Sequence, residues 1–166
     1  MSYITVIGAG SWGTTLAHLL AGKGYDVTLW AYEKNVVEEI NRYRTNSAYL
    51  PGVSLSPDIE ATDNIKDAVI TARYILSVVP TQFTRPVFKA AAGFIPEDAV
   101  IISASKGIEQ GSLLTVSSIL REITDRKIAA LSGPSFAKEV IQKSPTAVTL
   151  AAEDPALGLQ LQEIFN

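Results

Sequence analysis

The 166-residue chain has no cysteine and a single histidine. The missing thiols exclude disulfides, thiolate metal sites and a cysteine nucleophile, and they suit a reducing cytoplasm, the compartment expected here. The net charge is only -3, with no basic stripe and no block of like charge, so nucleic acid is not an expected partner. No apolar run approaches the roughly 20 residues that a membrane span needs. The opening MSYITVIGAG has no basic segment ahead of its apolar stretch, which argues against a secretory signal. No carboxylate pair stands out as an acid–base couple or metal site, and there is no repeat, linker or low-complexity segment.

Apolar residues make up 47% of the chain and charged residues 19%. At this length such a chain buries a core large enough to need no metal or disulfide staple. Strand candidates rich in β-branched residues recur: Tyr3 to Ile7, Val27 to Trp30, Arg73 to Val79, Ala99 to Ser105, Lys127 to Ser132 and Thr146 to Ala152. They are mostly apolar throughout rather than alternating, as expected of strands buried on both faces of a parallel sheet. Helical patterns lie between them. Gly13 to Lys23 carries Leu16, Leu19 and Leu20, and Lys34 to Arg44 carries Val36, Val37 and Ile40. Asn64 to Thr71 opens on a capping asparagine, and Thr81 to Phe94 on a threonine cap. Ser112 to Ile123 opens on serine and places Leu113, Val116, Ile119, Leu120 and Ile123 on a stripe; Pro155 to Phe165 has proline in its first turn. The alternation predicts an α/β fold: a Rossmann-type, doubly wound, mostly parallel sheet with helices on both faces. The least regular stretch, Thr45 to Asp63, is long for a structureless connection and reads as a functional loop or as a surface loop with an edge strand near Ile59 to Thr62.

GAGSWG is G-x-G-x-x-G at Gly8, Gly10 and Gly13. The pattern is weak alone, but here a strand precedes it, a helix follows, and a second strand comes after a turn at Gly24. In that setting Gly8 permits the tight turn, Gly10 lets backbone approach a pyrophosphate, and Gly13 lets the helix pack on the strand. The helix N-terminus offers free N–H groups and a positive dipole end to phosphates. Glu33 lies at the end of the second strand, where a carboxylate binds the adenosine ribose hydroxyls and repels a 2′-phosphate. The cofactor expected is therefore NAD or NADP, with NAD favoured; Lys34 offers at most weak help to a phosphate, and Glu33 as a solvated helix-start acid is the plainer alternative.

Lys106, in SASKGIE, stands past the carboxyl end of a buried strand, where ligands of open α/β sheets sit. There it can hold a substrate phosphate or polarise a carbonyl, or be a surface lysine. SGPSFAKEV offers a second small anion corner with Ser135 as cap, or simple helix capping alone. SVVPTQFTR ends a strand and can line a cofactor groove. His18 reads as solvent-facing, and Glu38, Glu39 and Asp67 as solvated helix faces.

Taken together, GAGSWGTTLA, VPTQF, SASKGIE and SGPSFAKEV, in this order, with NSAYLPG in the long loop, resemble the NAD(P)-dependent glycerol-3-phosphate dehydrogenase family. The resemblance covers nearly the whole chain, and the paired SKGIE and GPSFA segments are its most specific part. It implies hydride transfer between a nicotinamide cofactor and dihydroxyacetone phosphate to give sn-glycerol 3-phosphate, a glycerophospholipid precursor. It implies cofactor contacts at Ser11, Trp12, Tyr32, Tyr49, Lys106 and Ala137, with Phe83 and Phe136 walling the nicotinamide groove, and substrate contacts at Lys106, Gly133 and Ser135. The pair Tyr32–Glu33 stands where many bacterial members carry a basic residue suited to NADP. In the family a second, all-helical domain supplies the general acid/base lysine; that lysine is expected beyond Asn166, so the fragment alone is expected to bind cofactor and be nearly inactive. The resemblance leaves room for a homodimer of the whole protein. A non-catalytic NAD-sensing module is the alternative reading.

Overall fold

Seven strands form one sheet: β1 (Tyr3–Ile7), β2 (Asp26–Trp30), β3 (Ile59–Thr62), β4 (Tyr74–Ser77), β5 (Val100–Ser103), β6 (Lys127–Ser132) and β7 (Thr149–Ala152). The computed structural model describes residues 3–166. The spatial order is β3-β2-β1-β4-β5-β6-β7, with all neighbours parallel except β6 and β7. From β1 the chain winds outward through β2 and β3, then crosses back to β4 and winds the other way. The reversal between β1 and β4 is the topological switch point at which open α/β sheets bind ligands.

Strand side chains alternate between faces, and the core divides accordingly. Ile4, Val6, Val27, Leu29, Tyr74, Leu76, Val100 and Ile102 face one side, where they meet α1 (Ser11–Gly22), α2 (Lys34–Tyr43) and α7 (Pro155–Phe165). Ile7, Trp30, Ile75, Ile101 and Ile128 face the other, against α3 (Ile65–Val69), α4 (Thr81–Ala91) and α5 (Val116–Ile123). The inner strands β1, β4 and β5 are thus buried on both faces, as their sequence implied, whereas β7, expected as another such strand, lies antiparallel at the sheet edge with none of its residues buried, because no strand among the described residues pairs beyond it. A short α6 (Ala137–Ile141) follows β6 and packs on α1.

Three caps differ from expectation. Helix α5 begins at Val116 and is capped by Thr115, whose Oγ1 accepts the Ser118 N–H at 3.3 Å. Residues 107 to 115 instead fold back on themselves through an Ile108–Thr115 bridge. Gly111 and Leu113 both take positive φ there, so Leu113 leaves the helical stripe and is 71% exposed. Thr81 is the first helical residue of α4 rather than its cap, and Phe136 rather than Ser135 precedes α6. The Thr81 hydroxyl and the Ser135 carbonyl have partners far along the chain, whereas the Ser112 hydroxyl donates to Glu109 three residues back.

The long loop is neither structureless nor loosely attached. Asn46, fully buried, donates from Nδ2 to the Ala9 carbonyl at 2.9 Å and to Thr14 Oγ1 at 2.8 Å. Leu50 and Leu55 sink into the core on the α1 side. Glu39, expected as a solvated face, accepts from Thr45 Oγ1 and from the N–H and hydroxyl of Ser47. Those donors, the Ser47 N–H foremost, hold its carboxyl below the usual range. The edge strand at Ile59–Thr62 lies where the sequence placed it.

His18 is not solvent-facing. It is half-buried on α1, and its Nδ1 accepts the Ser56 N–H at 3.1 Å, pinning the far end of the loop. Burial, and secondarily the charge of Lys143, lower its pKa from 6.5. Protonating Nδ1 removes the acceptor, and the unfolded chain binds the proton more readily than the folded one. Stability should therefore be full above pH 6.5 and fall as pH drops through the lowered folded value. Chemical denaturation between pH 7.5 and 5 should show this decline, and His18→Gln should flatten it; an unchanged slope in the variant would show that the bond is not the cause.

Candidate functional site

Helix α1 starts one residue after Gly10 because three glycines let it come against the end of β1. Gly8 has φ of +118°, and a Cβ there would meet the Val78 carbonyl carbon at 2.9 Å, so only glycine turns the chain at this point. A Cβ on Gly13 would stand 1.8 Å from the Gly8 carbonyl oxygen, so α1 rides directly on the turn. Gly10 is different. Its φ of -67° is open to any residue, and a Cβ would meet nothing within 4 Å. Nothing inside the protein requires glycine there; its missing Cβ leaves the backbone open to a ligand, which fits a pyrophosphate laid against it. No side chain caps α1, so its first-turn N–H groups face that space. The Ala9 carbonyl is doubly occupied, by Asn46 Nδ2 and by Thr14 Oγ1 at 3.0 Å, which holds an opposing dipole out of the way.

Register brings the other motifs to the same edge. Trp30, Ile7, Ser77, Ser103 and Ala130 are paired in one line across β2, β1, β4, β5 and β6. The segments after those residues therefore emerge side by side: Tyr32 and Glu33, the glycine turn, VPTQF, the Lys106 loop, and Gly133 with Ser135. Four strand spacings of about 4.8 Å separate the first from the last.

At the β2 end, Tyr32 is 82% exposed and Glu33 is the N-cap residue of α2. Tyr49 Oη donates to Glu33 Oε1 at 2.7 Å, and Ser11 Oγ donates to the Tyr49 carbonyl at 2.5 Å. The long loop thus straps over the start of α1 and meets the acid. The hydrogen bond to Glu33, and then its charge, raise the Tyr49 phenol above its ordinary pKa. Glu33 keeps Oε2 for a further donor. Lys34 faces Asp63 at 3.8 Å in an exposed pair. Trp12 lies half-buried against the core beside the turn.

At the β5 and β6 ends, Lys106 Nζ donates to the carbonyls of Gly133 at 3.2 Å and Ser135 at 3.3 Å. Residues 27 and 29 positions apart in sequence therefore share one corner, and the ammonium retains a third hydrogen. The ion pairs among the described residues do not include Lys106, so its charge is uncompensated by carboxylate. Gly133 has φ of +151°, and a Cβ would meet the Ala147 carbonyl at 2.9 Å as the chain returns toward β7. Ser135 is buried, Ala137 opens α6, and Phe136 and Phe83 stand 66% and 60% exposed. A cleft of about 510 Å³ opens beside Lys106, between Ser103, Leu131, Gly133 and the start of α5. It is large enough for a small phosphorylated molecule. Among the described residues no group of three or more His, Asp or Glu is placed to hold a metal ion.

The sequence reading missed what holds these residues. Asn46, which clamps the long loop onto the glycine turn, lies in the quoted NSAYLPG segment, and its full burial is the missing signal. Arg85 of α4 grips Glu109 with Nε and Nη2 at 2.9 and 2.8 Å and reaches Glu122 at 2.7 Å. With Ser112 Oγ also donating to it, Glu109 is pulled down to about 2. No periodicity links positions so far apart.

The switch-point crevice, the uncapped helix and the glycines define a Rossmann domain of the dinucleotide-binding class. Residues 3–158 match the family described as the NAD-dependent glycerol-3-phosphate dehydrogenase N-terminus, and the chain belongs to that family. It is 51% identical over 167 residues to a glycerol-3-phosphate dehydrogenase [NAD(P)+] of Geobacter sp. (strain M21), covering 98% of this chain and 50% of that one. The solved glycerol-3-phosphate dehydrogenase of Coxiella burnetii superposes with a TM-score of 0.92 at 34% identity, over 99% of this chain and 51% of that one. A solved glycerol-3-phosphate dehydrogenase of Saccharomyces cerevisiae gives 0.84 at 32% identity, over 93% and 48%. The chain spans about half the length of the curated relatives it matches.

The glycines separate fold from binding. Gly13→Ala should cost about 3 kcal/mol through overpacking against the Gly8 carbonyl, which lowers Tm by roughly 6–12 °C. Gly10→Ala should leave Tm within about 2 °C while weakening NADH binding about tenfold or more. Thermal melts and fluorescence titration of both variants check this, and equal NADH affinity in Gly10→Ala and wild type would remove the pyrophosphate from this spot.

Proposed function

We propose that the chain is the cofactor-binding domain, residues 1–166, of a glycerol-3-phosphate dehydrogenase, and that an all-helical substrate domain follows it in the full-length protein. The observation that carries this reading is the corner at the β5 and β6 ends. Lys106, Gly133 and Ser135 meet there, one strand beyond the segment that bears Phe83 and two beyond the glycine turn. A nicotinamide dinucleotide, when bound, supplies or accepts the hydride that interconverts dihydroxyacetone phosphate and sn-glycerol 3-phosphate.

The chain's own residues bind and orient. The first-turn N–H groups of α1 and the backbone at Gly10 hold the diphosphate. Glu33, steadied by Tyr49, takes an adenosine ribose hydroxyl on Oε2 and repels a 2′-phosphate, which favours NAD over NADP. Ser11, Trp12, Tyr32 and Ala137 add cofactor contacts, and Phe83 and Phe136 flank the nicotinamide. Lys106 presents its free hydrogen and its charge to the substrate oxygen where negative charge develops, while Gly133 and Ser135 complete the substrate corner. The proton is moved by a lysine of the second domain, so this chain alone binds cofactor and turns over almost nothing. No helix among the described residues is long and apolar enough to cross a membrane. The reading places the protein in the cytoplasm, supplying glycerol 3-phosphate for phospholipids, and as a homodimer.

Titration of the chain with NADH should give saturable binding, and full-length protein with NADH and dihydroxyacetone phosphate should turn over. Lys106→Ala in the full-length protein should lower kcat/KM about 100-fold, the loss of about 3 kcal/mol of charge-assisted hydrogen bonding. Turnover by the isolated chain near that of the full-length protein, or an inert Lys106→Ala, contradicts the assignment. In the same titration Glu33→Arg should shift the NADP-to-NAD affinity ratio about tenfold toward NADP, equivalent to about 1.4 kcal/mol; wild-type preference for NADP would take the acid out of the ribose site.

A further inference from the structure

We propose that Gln82 is the positioning residue that fixes Lys106 relative to the nicotinamide wall, an inference that rests on the functional reading above for the role of Lys106. The loop from Ala104 to Thr115 that carries Lys106 contains no helix. With no helix to hold its backbone, the lysine depends on contacts from elsewhere for its aim. The first turn of α4 supplies what the loop lacks. Thr81 Oγ1 donates to the Lys106 carbonyl at 2.8 Å. Gln82 Nε2 donates to the Ile108 carbonyl at 2.9 Å, and Gln82 Oε1 accepts the Gln110 N–H at 2.9 Å. Arg85, one turn on, holds Glu109 between those two points.

The Gln82 contact is chemically selective. A carbonyl at position 108 and an N–H at position 110 are the alternate backbone groups that a neighbouring strand would pair with. A side-chain amide carries one donor and one acceptor side by side and so replaces that strand in a single residue. A carboxylate can take the N–H but not serve the carbonyl, and a thioether serves neither.

Gln82 is also adjacent to Phe83, which is exposed at the same strand edge. One helical turn therefore bears the aromatic wall and clamps the lysine loop, so the spacing between cofactor and substrate groups is set by α4 rather than by the loop. Thr81 and Arg85 contribute, but Gln82 alone binds the loop on both sides of Glu109.

The test uses Gln82→Met, which keeps length and volume and removes both hydrogen bonds, and Gln82→Glu, which keeps only the acceptor. Hydrogen exchange in this chain should show the Gln110 amide exchanging about tenfold faster in Gln82→Met and near the wild-type rate in Gln82→Glu. In the full-length protein, Gln82→Met should lower kcat/KM for dihydroxyacetone phosphate about tenfold, mainly through KM, with the dissociation constant for NADH changed less than about twofold. In a Lys106→Ala background the same substitution should change kcat/KM by less than about twofold, since positioning a missing lysine has no value. An equal loss in both backgrounds, or an unchanged Gln110 exchange rate, overturns the proposal. Absence of wild-type turnover with the triose phosphate would instead sink the functional reading and the kinetic role of Gln82 with it, while the exchange result still reports whether the clamp exists.

Discussion

Helix α1 can reach the end of β1 only because the carbon that a side chain would begin with is missing at Gly13, where it would stand 1.8 Å from the Gly8 carbonyl oxygen. That approach decides where the helix N-terminus points. An N-terminus held against the sheet edge presents its unpaired N–H groups and positive dipole end at the switch point between β1 and β4, where the sheet opens. Shift α1 outward by the width of a methyl group and the first turn no longer meets the crevice. The rest of the site is arranged around this contact: Asn46 ties the long loop to the turn, the loop brings Tyr49 to Glu33, and the parallel neighbours of β1 deliver their own loops at the same height.

The site is divided into a part that is rigid by packing and a part that is rigid by hydrogen bonding. The glycine turn, with Ala9, Gly13 and Thr14 buried, is fixed by close contact. The Lys106 loop is exposed and irregular, and it is held by point contacts from Thr81, Gln82 and Arg85 and by the Lys106 ammonium itself. The division follows from what each part handles. A diphosphate is bound by backbone geometry that need not change, whereas a lysine serving a reacting substrate needs room at its tip and restraint at its root. The exposed apolar groups at this edge, among them Phe83 and Phe136, sit on the same rim.

Much of this was legible in the residues. Apolar β-branched runs separated by helical stripes could only become a sheet buried on both faces, and a glycine turn between strand and helix could only serve a few purposes. The motif segments were readable one at a time. Their assembly was not, because Lys106 and Gly133 are separated by a helix and a strand, and only the register of β5 with β6 makes them neighbours. Capping was the least legible feature. Ser112, Thr81 and Ser135 look like caps because a hydroxyl before a helix has a local partner available, yet Thr81 bonds to the Lys106 carbonyl brought up by another part of the chain, and Ser112 turns back to Glu109 within its own loop.

The sequence by itself determined the class of fold, the sites of its turns and the chemistry available at each strand end, because hydrophobic period and glycine conformational freedom act over a few residues. Tertiary structure alone decided what those groups do to one another. It turned His18 from a surface residue into a loop anchor, Glu39 from a solvated acid into an acceptor of three bonds, and Gln82 into a substitute for a missing strand. The roles of His18 and Gln82 depend on distances between segments far apart in the chain, set by the packing of the whole sheet rather than by any local pattern, and that of Glu39 on how the loop just after its helix folds back.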